Sequence, residues 1–323
     1  MLKDNEIRQY GEYRTKRLVL EAWNKFGFDN KKEISMTKED NIILYHYTTM
    51  NTFYNMIEHS LCYEEGDIHP KYITMWATHY AFQNDPTECQ LFFEGLKAGV
   101  LDYNKKNNIP LNDKEKELTQ HPQYNLNIFT ISFSKQEDYL TMWRGYGQNG
   151  DGISLGFDFS KLPSTLPMYG ADCKERKYWS ESEPTYLLYD EIKKCEYVDT
   201  NNIKIAEEAC NKTLKNIFNK DEWTDVKQAI INNAYAPIYK NKKYEAEGEY
   251  RIIKHQIMPQ YRLADNKLVP YIKINIPIEC LKRIIVGPCQ SSSEVVMRIK
   301  SFLWTKCFDT EVITSAIPYR SRL

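Results

Sequence analysis

Two seven-residue stretches largely alternate between apolar and polar side chains, and this period of two constrains the fold more than any other feature. In residues 128–134, Phe129, Ile131 and Phe133 fall on one side and Thr130, Ser132 and Ser134 on the other; in residues 153–159, Ile153, Leu155, Phe157 and Phe159 repeat the pattern. Alternation of this length predicts half-buried β-strands. Similar segments occur at 42–48, 72–79, 250–257, 271–276 and 283–287, with a last strand near Val312. Between them the spacing turns helical. Thr48 or Thr49 is placed to cap a helix carrying Phe53, Met56, Ile57 and Leu61, a second helix surrounds Cys89, Phe92, Phe93 and Leu96, and a short one runs through Met142 and Trp143. Ser291 and Glu294 suggest a capping box for a late helix.

The expected class is α+β. A charged stretch, residues 1–40, reads as a helical N-terminal extension, with Leu18, Leu20, Ala22, Trp23 and Phe26 on one stripe. Residues 41–323 read as a single α+β domain interrupted by a helical insertion at about 185–240, where Ile203, Ala206, Cys210, Leu214, Trp223, Val226 and Ile230 keep helical spacing. The polar residues 100–124 read as a surface excursion.

Composition narrows the functional classes. The 43 Lys+Arg and 44 Asp+Glu give a formal charge of −1, which removes the generic electrostatic case for a nucleic-acid binder and leaves only a local basic patch open. No apolar run reaches the roughly 20 residues of a membrane helix, and the first residues lack the apolar stretch of a signal peptide, so a cytoplasmic location without a membrane partner is expected. Eight cysteines show no CxxC spacing, which argues for reduced, mostly buried thiols rather than a zinc or redox site. Mean hydropathy is −0.62, low for a chain that must build a core. The 24 Tyr, 13 Phe and 6 Trp supply the burial that hydropathy scales undervalue.

Two motif matches fail on context. Gly145-Tyr-Gly147-Gln-Asn-Gly150 has the letters of a dinucleotide fingerprint, yet a strand pattern follows it where a helix is required. Gly152-Ile-Ser154-Leu-Gly156 has the letters of a nucleophile elbow, yet Ser154 sits inside a continuing strand pattern. The histidines form no paired metal-binding spacing, so no metal site is expected.

Three segments hold chemically capable residues that core packing does not require: Leu44-Tyr45-His46-Tyr47-Thr48, Met142-Trp143-Arg144-Gly145-Tyr146-Gly147, and Tyr244-Glu245-Ala-Glu247-Gly-Glu249-Tyr250-Arg251. In the last, alternate positions place Glu245, Glu247, Glu249 and Arg251 on one face of a strand or extended lead-in. Such crowded carboxylates are solvated, or are held by a cation, a ligand hydroxyl or an arginine such as Arg251. Taken singly, His46 reads as a hydrogen-bonded core histidine, Trp143 and Tyr146 as core aromatics, and the glutamates as a charged edge strand.

Taken together, these segments resemble a bacterial domain-of-unknown-function family with L-Y-H-Y-T, N-D-P-x-E, M-W-x-x-Y-G, G-F-D, E-x-E-x-R and I-I-x-G-P in that order. Here they stand at 44–48, 84–88, 142–147, 156–158, 247–251 and 284–288. The layout also resembles the ADP-ribosyltransferase superfamily, which implies a split β-sheet core with flanking helices and NAD as substrate. In that resemblance Glu249 or Glu247 is catalytic at the nicotinamide ribose and His46 anchors the adenosine-side ribose. Tyr47, Trp143 or Tyr146 stacks on nicotinamide, and Arg144 or Arg251 holds the pyrophosphate.

The expected function is therefore an ADP-ribosyltransferase or NAD glycohydrolase, as a bacterial toxin or antiviral defence effector. An acceptor macromolecule is its other partner, and the helical insertion offers a surface for a protein partner. The alternatives are a non-enzymatic nucleotide-sensing or protein-interaction module and a nuclease using Glu245, Glu247, Glu249 and Asp85 with a divalent cation.

Overall fold

The computed structural model describes residues 43–60, 69–85, 87, 89–108, 110–111, 116, 128–162, 192–198, 236–255, 259–264, 266–290 and 293–319. In chain order these give β1 (Ile43–Thr48), α1 (Met50–Glu58), β2 (Tyr72–His79), α2 (Gln90–Asn107), β3 (Ile128–Ser134), α3 (Leu140–Gly145) and β4 (Ile153–Asp158). There follow β5 (Ile192–Lys194), β6 (Glu196–Val198), β7 (Tyr239–Asn241), β8 (Glu249–His255), β9 (Gln260–Ala264), β10 (Lys267–Pro277), β11 (Leu281–Val286), α4 (Ser293–Thr305) and β12 (Glu311–Thr314). The class is mixed α+β, dominated by one large sheet. No helix among the described residues is long and apolar enough to cross a membrane.

The sheet runs β12-β11-β4-β1-β3-β2-β10-β9, with β8 on β3 and β5 on β8; the β11–β12 pair is parallel and the other pairs are antiparallel. It forks at β3. Along one edge β3 pairs continuously with β8, from Ile128↔His255 to Ser134↔Glu249. The other edge is shared: Ser134 pairs with Tyr45 of β1, while Phe129 and Thr130 pair with His79 and Thr78 of β2. Ser132 lies between the two arms.

Strand alternation sorts the sheet into two sides. On one side Leu44, Met75, Phe129, Ile131, Phe133, Leu155, Phe157, Ile274 and Ile284 form the main core, covered by Phe53, Met56 and Ile57 of α1 and Ile299 and Leu303 of α4. Helix α1 starts where the sequence pattern places it, since Thr49 Oγ1 accepts from Thr52 N at 3.1 Å. On the other side a smaller cluster of Tyr45, Tyr47, Met142, Trp143 and Ile285 brings α3 against the sheet.

The glycine-rich turn is a crossing point of backbones, and β4 follows it as the alternation requires. Gly152 N donates to Gly147 O and Gly287 N to Gly152 O, both at 2.9 Å. A Cβ on Gly287 would sit 2.4 Å from Gly150 O and one on Gly152 would sit 2.2 Å from Thr48 O. Close packing of main chain, rather than phosphate binding, accounts for these glycines.

Several expectations need correction. Residues 100–107, read as surface excursion, are the last turns of α2. The stretch 185–240, read as a helical insertion, contains β5 and β6 and ends in β7. Strand β9 was not anticipated. The N-terminal extension 1–40, the interior of 185–240, Leu61, Ser291 and Glu88 lie outside the described residues. Cys89, Cys195 and Cys280 are buried, while Cys289 and Cys307 are only partly covered.

Candidate functional site

The E-x-E-x-R segment does not lie on one strand face. Lys242–Glu247 forms a 3-10 turn, Gly248 takes a left-handed conformation (φ 53°), and β8 begins only at Glu249. A left-handed residue between the glutamates breaks the alternation, and glycine is the residue that adopts it without cost. Glu245 is exposed on the turn, away from the pairing described next.

Glu247 and Glu249 still converge, because Lys240 of β7 reaches both. Its Nζ lies 2.6 Å from Glu247 Oε2 and 2.6 Å from Glu249 Oε2. Arg251 clamps Glu249 from the other side, Nε to Oε1 at 2.7 Å and Nη2 to Oε2 at 3.0 Å, and donates through Nη1 to Pro237 O at 2.6 Å. Tyr146 of the α3 turn donates its hydroxyl to Glu247 Oε1 at 2.6 Å. The main chain is fixed as well: Glu249 N donates to Tyr197 OH at 2.7 Å, and Ser134 Oγ donates to Glu247 O.

The result is a buried quartet of two cations and two carboxylates. Side-chain exposure is 6% for Lys240, 5% for Glu249 and 2% for Arg251, against 11% for Glu247. Burial by itself would raise the Glu249 carboxyl, but Arg251 and Lys240 outweigh it and hold the group at about 2. Burial opposes the charge on Lys240; Glu249 and then Glu247 overcome both it and the repulsion of Arg251, and the pKa rises. Tyr146 is raised by burial and by its bond to Glu247, so its phenol stays protonated as a donor. Glu249 is thus held by both cations, and Glu247, whose oxygens meet Tyr146 and Lys240, is the less buried of the two carboxylates.

The other expected site residues divide differently. Trp143 is fully buried; its Nε1 donates to Asp138 Oδ1 at 2.6 Å and its ring meets Tyr47 edge-on at 4.9 Å. Tyr47 is 6% exposed, its hydroxyl lies 2.7 Å from both Gln136 O and Glu137 O, and it accepts from Tyr139 N at 3.2 Å. Both aromatics are core, and neither presents a free face for stacking. Arg144 is exposed, with its guanidinium over the Tyr319 ring at 5.1 Å, and does not join the quartet. Arg251 is buried inside the ion network and does not face an external pyrophosphate.

His46 occupies the fork. Its Nδ1 donates to Ser132 O at 2.9 Å, filling the gap that the two arms leave on the edge of β3. Its ring lies 5.7 Å from Phe133, on the main-core side. Because Tyr45 opposes Ser134 and Ser134 opposes Glu249, His46 and Glu249 lie on opposite sides of the sheet. Burial lowers the His46 pKa and the Ser132 bond offsets this only in part, which favours the neutral imidazole. The expected convergence of His46 with Glu249 is not found.

Asp85 accepts from Thr87 N at 2.8 Å and Thr87 Oγ1 at 2.6 Å, which makes it the anchor of a local turn. Among the described residues no group of three His, Cys, Asp or Glu is placed to hold a metal ion. Between Glu247 and Glu249 stands Lys240, where the nuclease reading puts a divalent cation. Sequence reasoning missed Lys240, Tyr197 and Asp138, the last of which ties Trp143 to Ser315 Oγ (2.7 Å) and Ala316 N (2.8 Å).

Residues 142–252 match the family model of DUF2971, a protein of unknown function. This segment is similar to that family over about a third of the chain, and it contains Tyr146, Tyr197, Lys240, Glu247, Glu249 and Arg251. His46 lies outside it. No curated protein and no solved structure matches the chain.

Proposed function

We propose that the chain is an NAD-using enzyme of ADP-ribosyltransferase-like fold, an ADP-ribosyltransferase or NAD glycohydrolase, in which Glu247 rather than Glu249 carries the chemistry. The observation that supports this is the Glu247 carboxylate, the less buried of the two, oriented by the Tyr146 hydroxyl on one oxygen and Lys240 on the other. The fork of the sheet at β3 agrees with a split-sheet core. When the nicotinamide–ribose bond breaks, nicotinamide leaves with the bonding electrons and positive charge grows on the sugar. A fixed carboxylate beside the ribose stabilises that charge more than the ground state, in which the charge sits on the pyridinium ring; water or an acceptor hydroxyl then bonds to the anomeric carbon and gives up its proton to solvent.

Nicotinamide release from NAD by the purified chain tests the reading. Turnover in the wild type, lowered about 100-fold or more by Glu247→Gln, supports it. A wild type that neither binds NAD nor releases nicotinamide overturns it. The buried pairing of Glu249 with Arg251 and Lys240 favours a second reading, a nucleotide-sensing or protein-interaction module in which the acidic segment is structural. Under that reading NAD or another nucleotide binds saturably without product, and Glu247→Gln changes stability alone.

A further inference from the structure

The far arm of the sheet carries a second group of charges that the Glu247 site does not use. Lys273 stands opposite Trp76, Tyr271 opposite Thr78, and Val269 opposite Arg262. Residues opposed across an antiparallel pair share a face, so Trp76, Tyr271, Lys273, Arg262 and, two residues beyond Val269, Lys267 all project from one side. The Trp76 and Tyr271 rings stack with centroids 4.5 Å apart at 27°, and the Arg262 guanidinium lies over the Trp76 ring at 5.8 Å. Trp76 keeps part of its surface in solvent, and Lys267 and Lys273 are exposed.

Several cations elsewhere in the structure are paired. Lys240, Arg251, Arg283, Arg298 and Lys306 each meet a carboxylate. Among the described residues none pairs with Arg262, Lys267 or Lys273, and the described positions of β2, β9 and β10 on this face include no Asp or Glu. Arg262 Nε is buried with no hydrogen-bond partner, and its Nη2 has only a long 3.4 Å contact to Thr78 Oγ1. Among the described residues no anion meets this charged donor over the indole. The chain's overall charge of −1 gives no general attraction for polyanions, so the positive field here is local.

We propose that this face binds a single-stranded polynucleotide, with a base packing on the solvent-exposed part of the Trp76–Tyr271 pair and phosphates on Arg262, Lys267 and Lys273. From Lys267 to Lys273 the strand covers about 20 Å at about 3.3 Å per residue, enough for several phosphates. A rigid aromatic flanked by unpaired cations is the combination that single strands use, since every base offers a π-face and the backbone supplies regular charge. An acidic peptide would satisfy the cations and leave the indole unused. A duplex buries its base faces and cannot stack on it.

Fluorescence anisotropy of the full chain with fluorescein-labelled dT12 and rU12 at 50 and 200 mM NaCl tests this. The expected result is saturable binding whose log–log salt slope is about 2, since three phosphate contacts contribute about 0.7 each. Charge reversal at the two exposed sites, Lys267→Glu with Lys273→Glu, weakens binding at least tenfold while circular dichroism stays unchanged. Trp76→Ala weakens it further and Trp76→Phe restores part of the loss. No binding at 50 mM salt overturns the proposal, as does binding unaffected by the double reversal or displaced equally well by polyglutamate. Nicotinamide release plays no part in this test, so either reading can fail without the other.

Discussion

The two sides of the sheet are built from alternate residues of the same strands, yet they obey different rules. Beneath α1 and α4, Phe129, Ile131 and Phe133 are held by non-directional apolar packing, where volume and shape decide the energy. Opposite Ser134 and Ser132, one residue out of phase, Glu249 and Arg251 are held by bonds that fix both identity and geometry. Alternation alone separates a tolerant surface from an intolerant one.

The sharpest way to break this contrast is to remove one member of the quartet. Arg251→Met leaves the Glu249 and Glu247 carboxylates with one buried cation, and a cost of about 3–5 kcal/mol in urea unfolding is expected. A loss under about 1 kcal/mol would show that the charged side is as forgiving as the apolar one.

Acid provides the next test. Glu249 sits at about 2 when folded against an ordinary 4.5, so the unfolded chain binds the extra proton between these values. Its contribution is complete above about pH 4.5 and disappears as pH falls toward 2. Urea midpoints at pH 6, 4 and 3 should fall more steeply in the wild type than in Glu249→Gln; parallel curves would contradict the assignment.

His46→Phe probes the fork. It keeps an aromatic ring beside Phe133 and removes the donor to Ser132 O, so a loss of about 1–3 kcal/mol is expected from the unpaired carbonyl. His46→Asn should recover part of it if the hydrogen bond, rather than ring packing, is what matters. The smallest effect is Ile131→Val on the apolar side, about 0.5–1.5 kcal/mol. Arg251→Lys, equally conservative in name, should cost more, because an ammonium cannot reproduce the two-pronged grip on Glu249.

Much of this architecture is legible in the sequence. Period-two alternation places β3 and β4, a cap at Thr48 or Thr49 places the start of α1 to within a residue, and the glycine turn correctly precedes a strand. The site is legible only where partners are close along the chain. Arg251 is two residues from Glu249, and its pairing follows from that spacing. Lys240 lies beyond a 3-10 turn, at the edge of a segment whose periodicity is helical, and no local pattern brings it back to both glutamates. The duty of His46 is hidden for another reason: a forked sheet is a property of three strands at once, and one strand's sequence carries no record of the gap beside its neighbour.

That fork also determines how the chain reaches its fold. Strand β3 borders β8 on one edge and both β1 and β2 on the other, and all three partners are distant in sequence. Completing it requires several long loops to close before most of the reward is collected, and such non-local topology sets folding on a scale of roughly milliseconds to seconds. Until β1 and β2 both arrive, Ser132 has an open edge, and the imidazole of His46 seals it only when the arms are in place.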